Sequence, residues 1–258
     1  MRVNLPHFEI WEQEPGPHGI YRQVERAGRV CYKSEDHQTE DSAEPFARRM
    51  MANHHTAMLE HATVYLTFDC PNGQVPDNAK RYVDNPFTHT QLVCDKLYVT
   101  TNLRVVNDNG WTSDLEHVVE PTEHHDRRIT VHFTTQIAIS REYNRHRVNS
   151  IAEQSTRYCN YSNDRFGSEL TFIKPCFFKE KKGAYCSWYN SMDFAECAYF
   201  DMLDDGCTPQ EARSVLPSSI KTEVVMTANL REWRHFLKLR TAKAAHPQMR
   251  ELTVPLLH

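Results

Sequence analysis

Between residues 128 and 140 the chain reads RITVHFTTQIAIS, and Ile129, Val131, Phe133, Ile137 and Ile139 fall on alternate positions. A two-residue period puts them on one face of an extended chain, so the stretch predicts a strand leading directly into REYNRHR. TVYLTF (63 to 68), KLYVTTNLRVV (96 to 106) and KTEVVMTA (221 to 228) are rich in β-branched and aromatic residues and also read as strands. Helical spacing governs other segments. DSAEPFARRMMANHHTAMLEH predicts a first helix, with Asp41 or Ser42 as cap, Pro45 in the first turn, and Phe46 and Met50 opening the apolar face. YCSWYNSMDFAECAYFDMLDDG spaces Tyr185, Trp188, Met192, Tyr199 and Met202 as a helix would and stops at Gly206. Thr208, Pro209 and Glu211 then announce a new helix by cap, first position and capping-box partner. Asn229 and Glu232 do the same for LREWRHFLKLR, where Arg240 shares a face with Trp233, Phe236 and Leu237. A cation on a face that turns to the core requires a partner.

The segment from about 70 to 127 carries most of the turn signals, including Asn72-Gly73 and Asn109-Gly110, yet holds a strand-like piece, so it reads as an ordered insertion. The pattern predicts an α+β protein: a mixed, mainly antiparallel sheet packed by helices, in a single domain spanning 1–258 with the insertion at about 70–127.

Composition narrows the functional classes. A net charge of -4 with 25% charged residues argues against a general nucleic-acid surface, so phosphate binding must be local. Eight scattered cysteines without a CxxC pair, no apolar run of membrane-spanning length and no signal-peptide core predict a reduced, cytoplasmic protein whose thiols pack. The eight glycines form neither GxGxxG nor a Walker loop, and HExxH is absent. His54-His55 and His124-His125 lack a matching third ligand spacing, so they are expected to be exposed polar residues and no metal site is expected.

Against that background RHRVNSIAEQSTRY (145 to 158) stands out. Arginine forks suit phosphate, and the hydroxyls of Ser155 and Thr156 beside backbone N–H groups suit an anion-binding turn. The residues alone leave this reading open beside another, an ion-pair network with Glu142 and Glu153. Arg213, in PQEARSVLP, reads by spacing as an exposed helix arginine.

RHR followed by seven residues and Ser resembles the motif of the flavin-dependent thymidylate synthases. Further blocks agree: AGRVCYKSED (27 to 36), HTAMLEH (55 to 61), EQSTRYCNYSNDRFGSE (153 to 169), PQEARSVLP (209 to 217) and TANLREWRHFLKLRTAKAAHPQMRE (227 to 251). The resemblance implies conversion of dUMP to dTMP, with methylenetetrahydrofolate as carbon donor, FAD as cofactor and NADPH as its reductant. It also implies a homotetramer whose active sites draw on more than one subunit, with neither nucleic acid nor membrane as partner. It implies FAD contacts from Ala57, Arg145, His146, Arg147, Glu153, Asn229, Arg231 and His235. For dUMP it implies Glu142, Arg145, Ser155, Thr156, Arg157, Arg213 and Arg240. The resemblance also makes Arg240 the expected catalytic group: a guanidinium against the pyrimidine would stabilise its developing negative charge.

This sequence departs from the family in places. Glu142 stands where glutamine is frequent; an ionised carboxylate cannot donate a hydrogen bond, so a backbone contact is expected there. Ala57 replaces a hydroxyl residue, leaving only its backbone for the flavin. A longer closing helix found in some relatives is expected to be missing after HPQMRE. Neither Cys159 nor Ser155 is expected to act as a nucleophile. Two other functions fit the same residues: a flavin-assisted pyrimidine nucleotide hydroxymethylase, and a nucleotide- or RNA-binding module without catalysis.

Overall fold

The structure, a computed structural model, describes residues 1–157, 161, 169–178 and 181–258. Cys159 and most of the block from 153 to 169 lie outside the described residues. In chain order the elements are β1 (Arg2–Asn4), β2 (His7–Trp11), α1 (Gly16–Tyr32), α2 (Ala43–Ala52), β3 (Thr63–Asp69), α3 (Asp77–Val83), β4 (His89–Val93), β5 (Lys96–Asn102) and α4 (Leu103–Asp108). They continue with β6 (Arg128–Gln136), α5 (Ile137–Tyr143), β7 (Ser150–Glu153), β8 (Thr171–Ile173), α6 (Lys182–Asp204), α7 (Pro209–Ala212), β9 (Lys221–Asn229), α8 (Leu230–Arg240) and α9 (Pro247–Leu257).

Helices and antiparallel sheets are combined, as expected, but the strands divide among three sheets. The largest has order β2-β6-β9-β7 and is antiparallel throughout. A three-stranded antiparallel sheet runs β3-β5-β4, and β1 pairs in parallel with β8. Alternation builds the first sheet. Val224, Met226 and Ala228 of β9 join Val131 and Phe133 of β6 in a core closed by Trp233 and Phe236 of α8 and Met249 and Leu252 of α9. The opposite side presents Val225 and Ala152 to Ala27 and Val30 of α1.

That second side also carries polar groups. Gln23 of α1 donates to Thr130 Oγ1 at 3.0 Å, Thr130 and Thr227 hydroxyls meet at 2.8 Å, and His61 Nδ1 lies 2.9 Å from Thr227 Oγ1. The three-stranded sheet packs Val64, Leu66, Phe68, Leu97 and Val99 against Ile20 and Val24 of α1 and Phe46 of α2. Helix α1 approaches α2 so closely that a Cβ at Gly28 would stand 2.7 Å from the Phe46 ring, which is why glycine occupies that turn.

Several expectations are corrected. The predicted first helix is preceded by α1 and is itself split: α2 ends at Ala52, His54 adopts φ 58°, and a 3-10 turn covers Thr56–His61. The 128–140 strand stops at Gln136, so Ile137 and Ile139 belong to α5. The strand-like piece at 96 to 106 turns helical at Leu103. His125 is buried, its Nε2 3.2 Å from the Leu66 carbonyl, and Cys94, Cys186 and Cys197 are exposed instead of packed. The Thr208–Glu211 capping box forms in full, and Gly206 closes α6 at φ 91°. Among the described residues no helix is long and apolar enough to cross a membrane, and no group of side chains has metal-site geometry.

Candidate active site

Helix α5 is short, and its start is tied to the turn just before β9: Ile137 N–H donates to the Ile220 carbonyl at 3.2 Å and Ala138 N–H to that of Ser218 at 3.1 Å. Its last residue, Tyr143, is fully buried and stacks on Phe236 of α8 with centroids 5.6 Å apart. This packing sets Glu142 beside the end of α8. Arg240 donates from Nη1 to Glu142 Oε2 at 2.5 Å, from Nη2 to the Glu142 carbonyl at 2.8 Å, and from Nε to His146 Nε2 at 2.9 Å. The partner that its apolar surroundings demanded is therefore Glu142.

Three of the five guanidinium N–H groups are spoken for, leaving two as donors. Because His146 accepts on Nε2, its proton sits on Nδ1. Burial, then the charge of Arg240 and proximity of His235, push His146 down to about 4, so it is neutral near pH 7. The ring rests edge-on against Phe236, 4.9 Å between centroids, and 6.1 Å from His235. The carbonyl of Arg240 in turn accepts from Thr253 Oγ1 of α9 at 2.9 Å.

A second cluster forms where β7 ends. Glu153 is held by Thr222 Oγ1 at 3.3 Å and Asn144 Nδ2 at 3.4 Å. Gln154 N–H then donates to the Glu223 carbonyl at 2.8 Å, and Ser155 N–H to that of Cys31 at 3.0 Å. The turn that follows brings Arg157 N–H to Ser155 Oγ at 3.2 Å, Arg157 Nε to Gln210 Oε1 at 3.3 Å, and Arg213 Nη1 to Thr156 Oγ1 at 3.3 Å. Arg141, Thr156, Gln210, Arg213, Ser214 and Ser218 line a cavity of about 490 Å³. Neighbouring residues of α5 thus serve both places, Arg141 the cavity and Glu142 the arginine at the end of α8.

Beneath this turn lies a buried carboxylate, Glu223. It receives Lys33 Nζ at 2.9 Å, His132 Nε2 at 2.9 Å and the Lys221 ammonium, which also reaches Gln154 Oε1 at 3.0 Å. Burial alone would raise the Glu223 carboxyl, but His132, Lys221 and Lys33 hold it well below the usual range.

The remaining expected residues are not drawn together. Ala57, Arg145, Arg147, Arg231 and His235 are exposed, and no hydrogen bond or ion pair joins any two of them among the described residues. Asn229 caps α8, its Oδ1 accepting from Glu232 N–H at 3.0 Å. Arg141 and Gln210 escaped the sequence reading, although each lies close to an expected residue, Arg141 beside Glu142 and Gln210 three before Arg213. Lys221 and Glu223 were legible only as strand residues.

The model of the family described as thymidylate synthase complementing protein matches residues 104–258. The chain belongs to that family. A flavin-dependent thymidylate synthase of Pyrococcus furiosus is 34% identical over 113 residues, 44% of this chain and 46% of the relative, so the match spans about half the length of that protein. One from Corynebacterium aurimucosum is 23% identical over 98% of this chain and 81% of its own. Among solved structures, a UMP/dUMP methylase from Streptomyces cacaoi bound with 5-Br dUMP aligns with a TM-score of 0.46 and 19% identity, covering 99% of this chain and 88% of its own. Glu142, His146 and Arg240 of the first cluster and Thr156, Arg157 and Arg213 of the second lie within the span that the family model covers, whereas Cys31 lies outside it.

Proposed function

We propose that the chain is a flavin-dependent thymidylate synthase, converting dUMP to dTMP with methylenetetrahydrofolate as carbon donor and NADPH as reductant of bound FAD. The observation that carries the reading is Arg240, an arginine fixed by Glu142 and His146 with two N–H donors still available, in a chain of this family. Those donors would meet a pyrimidine carbonyl and stabilise negative charge as it develops on the ring. The cluster of Ser155, Thr156, Arg157 and Arg213 suits the 5′-phosphate: forked donors, hydroxyls and a turn of backbone N–H groups at a cavity mouth. Arg145 would approach the same nucleotide, and Glu142 would serve it mainly by holding Arg240.

The donor set also fits an anionic dinucleotide. Arg145, Arg147 and Arg231 are exposed and carry no carboxylate among the described residues, and Asn229, capping with its oxygen, retains its amide N–H groups. These residues, with His146, Glu153, His235 and the backbone of Ala57, would hold FAD. When bound, the flavin supplies the reducing equivalents of the transfer. The exposed arginines support a site completed between copies in a homotetramer, as the resemblance implies.

Anaerobic turnover with isotopically labelled methylenetetrahydrofolate tests the proposal. Labelled dTMP is the expected product. A hydroxymethyl product would assign water as the terminating group, and a protein that binds neither flavin nor dUMP would overturn the assignment.

A further inference from the structure

A hollow of about 560 Å³ lies away from both clusters, where the segment from Ile10 to Ile20 meets the start of β3, residues 118 to 121 and the start of β6. Trp11, Ile20, Tyr65, Val119, Ile129 and Leu230 give it an apolar wall. Arg128 also lines it, and the company of that side chain is unusual. Its Nη1 donates to Thr63 Oγ1 at 3.3 Å, and its Nη2 to the Glu60 carbonyl at 2.9 Å and Ser150 Oγ at 3.5 Å, all of them uncharged acceptors.

Three other arginines held in the fold carry an acid: Arg29 has Glu25 at 2.7 Å, Arg81 has Asp114, and Arg240 has Glu142. Arg128 has no carboxylate in ion-pair range among the described residues, and nearby Glu60 is taken by Arg104 at 2.5 Å. A desolvated guanidinium without a counter-ion is costly, and burial pulls Arg128 below the ordinary guanidinium range. Glu12, Glu14 and Glu120 also border the hollow, but all three are exposed, and Glu14 is paired with Arg22 at 3.3 Å. Hydrated carboxylates at a rim are screened by solvent and salt, and the half-buried Arg128, which feels Glu60 and Asp126 without pairing with either, is screened less.

We propose that this hollow binds the anionic end of a small organic molecule, a carboxylate or phosphate carried on a flat apolar body, with Arg128 as its counter-ion. The site is formed largely by residues 10–20, 63–65 and 118–121 and is separate from Arg240 and from the Arg213 cavity. It rests on the reaction proposed above only for the choice of probes. Methylenetetrahydrofolate ends in glutamate carboxylates and NADPH carries a 2′-phosphate, so one fragment of each represents the two sources of the same chemistry.

The experiment is calorimetric titration of the full chain with N-(4-aminobenzoyl)-L-glutamate and, separately, with adenosine 2′-monophosphate. One probe is expected to bind saturably and to remain bound when dUMP is added. Val119→Trp, which fills the hollow while leaving the Val119 N–H to donate to the Tyr65 carbonyl, should weaken that probe about tenfold or more. Arg128→Met should do the same, but Arg128 ties three segments, so Val119→Trp is the deciding variant if Arg128→Met fails to fold. Saturation by neither probe, displacement by dUMP, or unchanged affinity in Val119→Trp overturns the inference. If dTMP forms normally and neither probe binds, this inference fails alone; if a probe binds and Val119→Trp weakens it while no dTMP forms, the reaction assignment fails alone.

Discussion

Arg240 grips Glu142 twice, through the carboxylate at 2.5 Å and through the backbone carbonyl at 2.8 Å, although the two residues stand 98 positions apart. A bidentate hold of this kind fixes the plane of the guanidinium, and with it the direction of the N–H groups left for a substrate. Arg240→Ala should lower turnover by about 10²–10³ while flavin absorbance is retained. Arg240→Lys should recover little of that loss, because an ammonium cannot reproduce the fork. Single-turnover kinetics on both variants, with the flavin spectrum as control, would check this.

The Thr156–Arg213 contact leads to a different expectation. If Arg213 serves a phosphate, Arg213→Ala should weaken dUMP by about tenfold to a hundredfold, the range for losing a charge-assisted hydrogen bond. Deoxyuridine, which lacks the phosphate, should bind the variant and the parent equally. Equal weakening of both ligands would point to a structural defect in the turn.

Acid should destabilise the fold. Burial, then the charge of Arg128, push His61 down to about 3, whereas an unfolded histidine titrates near 6.5. The depressed value means that the stabilisation is fully present above about pH 6.5 and is lost as pH falls toward 3. Glu223 acts in the same direction, its contribution fading below the unfolded carboxyl value of about 4.5. Urea midpoints at stepped pH should fall steadily below about 6.5. His61→Gln should flatten the upper part of that fall, and it should leave the part below about 4.5 in place.

Asn229 is expected to carry two loads. Asn229→Ala should cost about 1 kcal/mol through loss of the cap on α8 and should also weaken the flavin. Asn229→Asp keeps an accepting oxygen for Glu232 N–H, so stability should recover while flavin affinity does not. Thermal unfolding and flavin titration on the pair separate the two roles.

What the sequence disclosed follows from how locally each feature is encoded. β9 and the first part of β6 were legible because their alternation matches two faces that are both covered. Ile137 and Ile139 continued the same rhythm into α5, and what turns the backbone there is a tie to Ile220 and Ser218, contacts with no local trace. α1 was hidden for a related reason: Gln23, Glu25 and Arg29 are buried with Ile20, Val24 and Val30, satisfied by Thr130 and by the Glu25–Arg29 pair, and so interrupt the apolar stripe.

At the site, the misplaced charge of Arg240 on an apolar face announced that a partner existed, but only the packing of Tyr143 on Phe236 says which. The hydroxyls and guanidinium gathered at the end of β7 were readable from Ser155, Thr156 and Arg157, whereas Arg141 and Gln210 enter through tertiary placement alone.

Thr253 places its hydroxyl on the last carbonyl of α8 and so makes α9 a brace for the guanidinium at that terminus. Damage far out on the closing helix would therefore be felt at the Arg240 guanidinium: shortening α9, or loading it with a bulky fusion, would let the end of α8 fray and blunt the aim of a side chain that the alteration never touches.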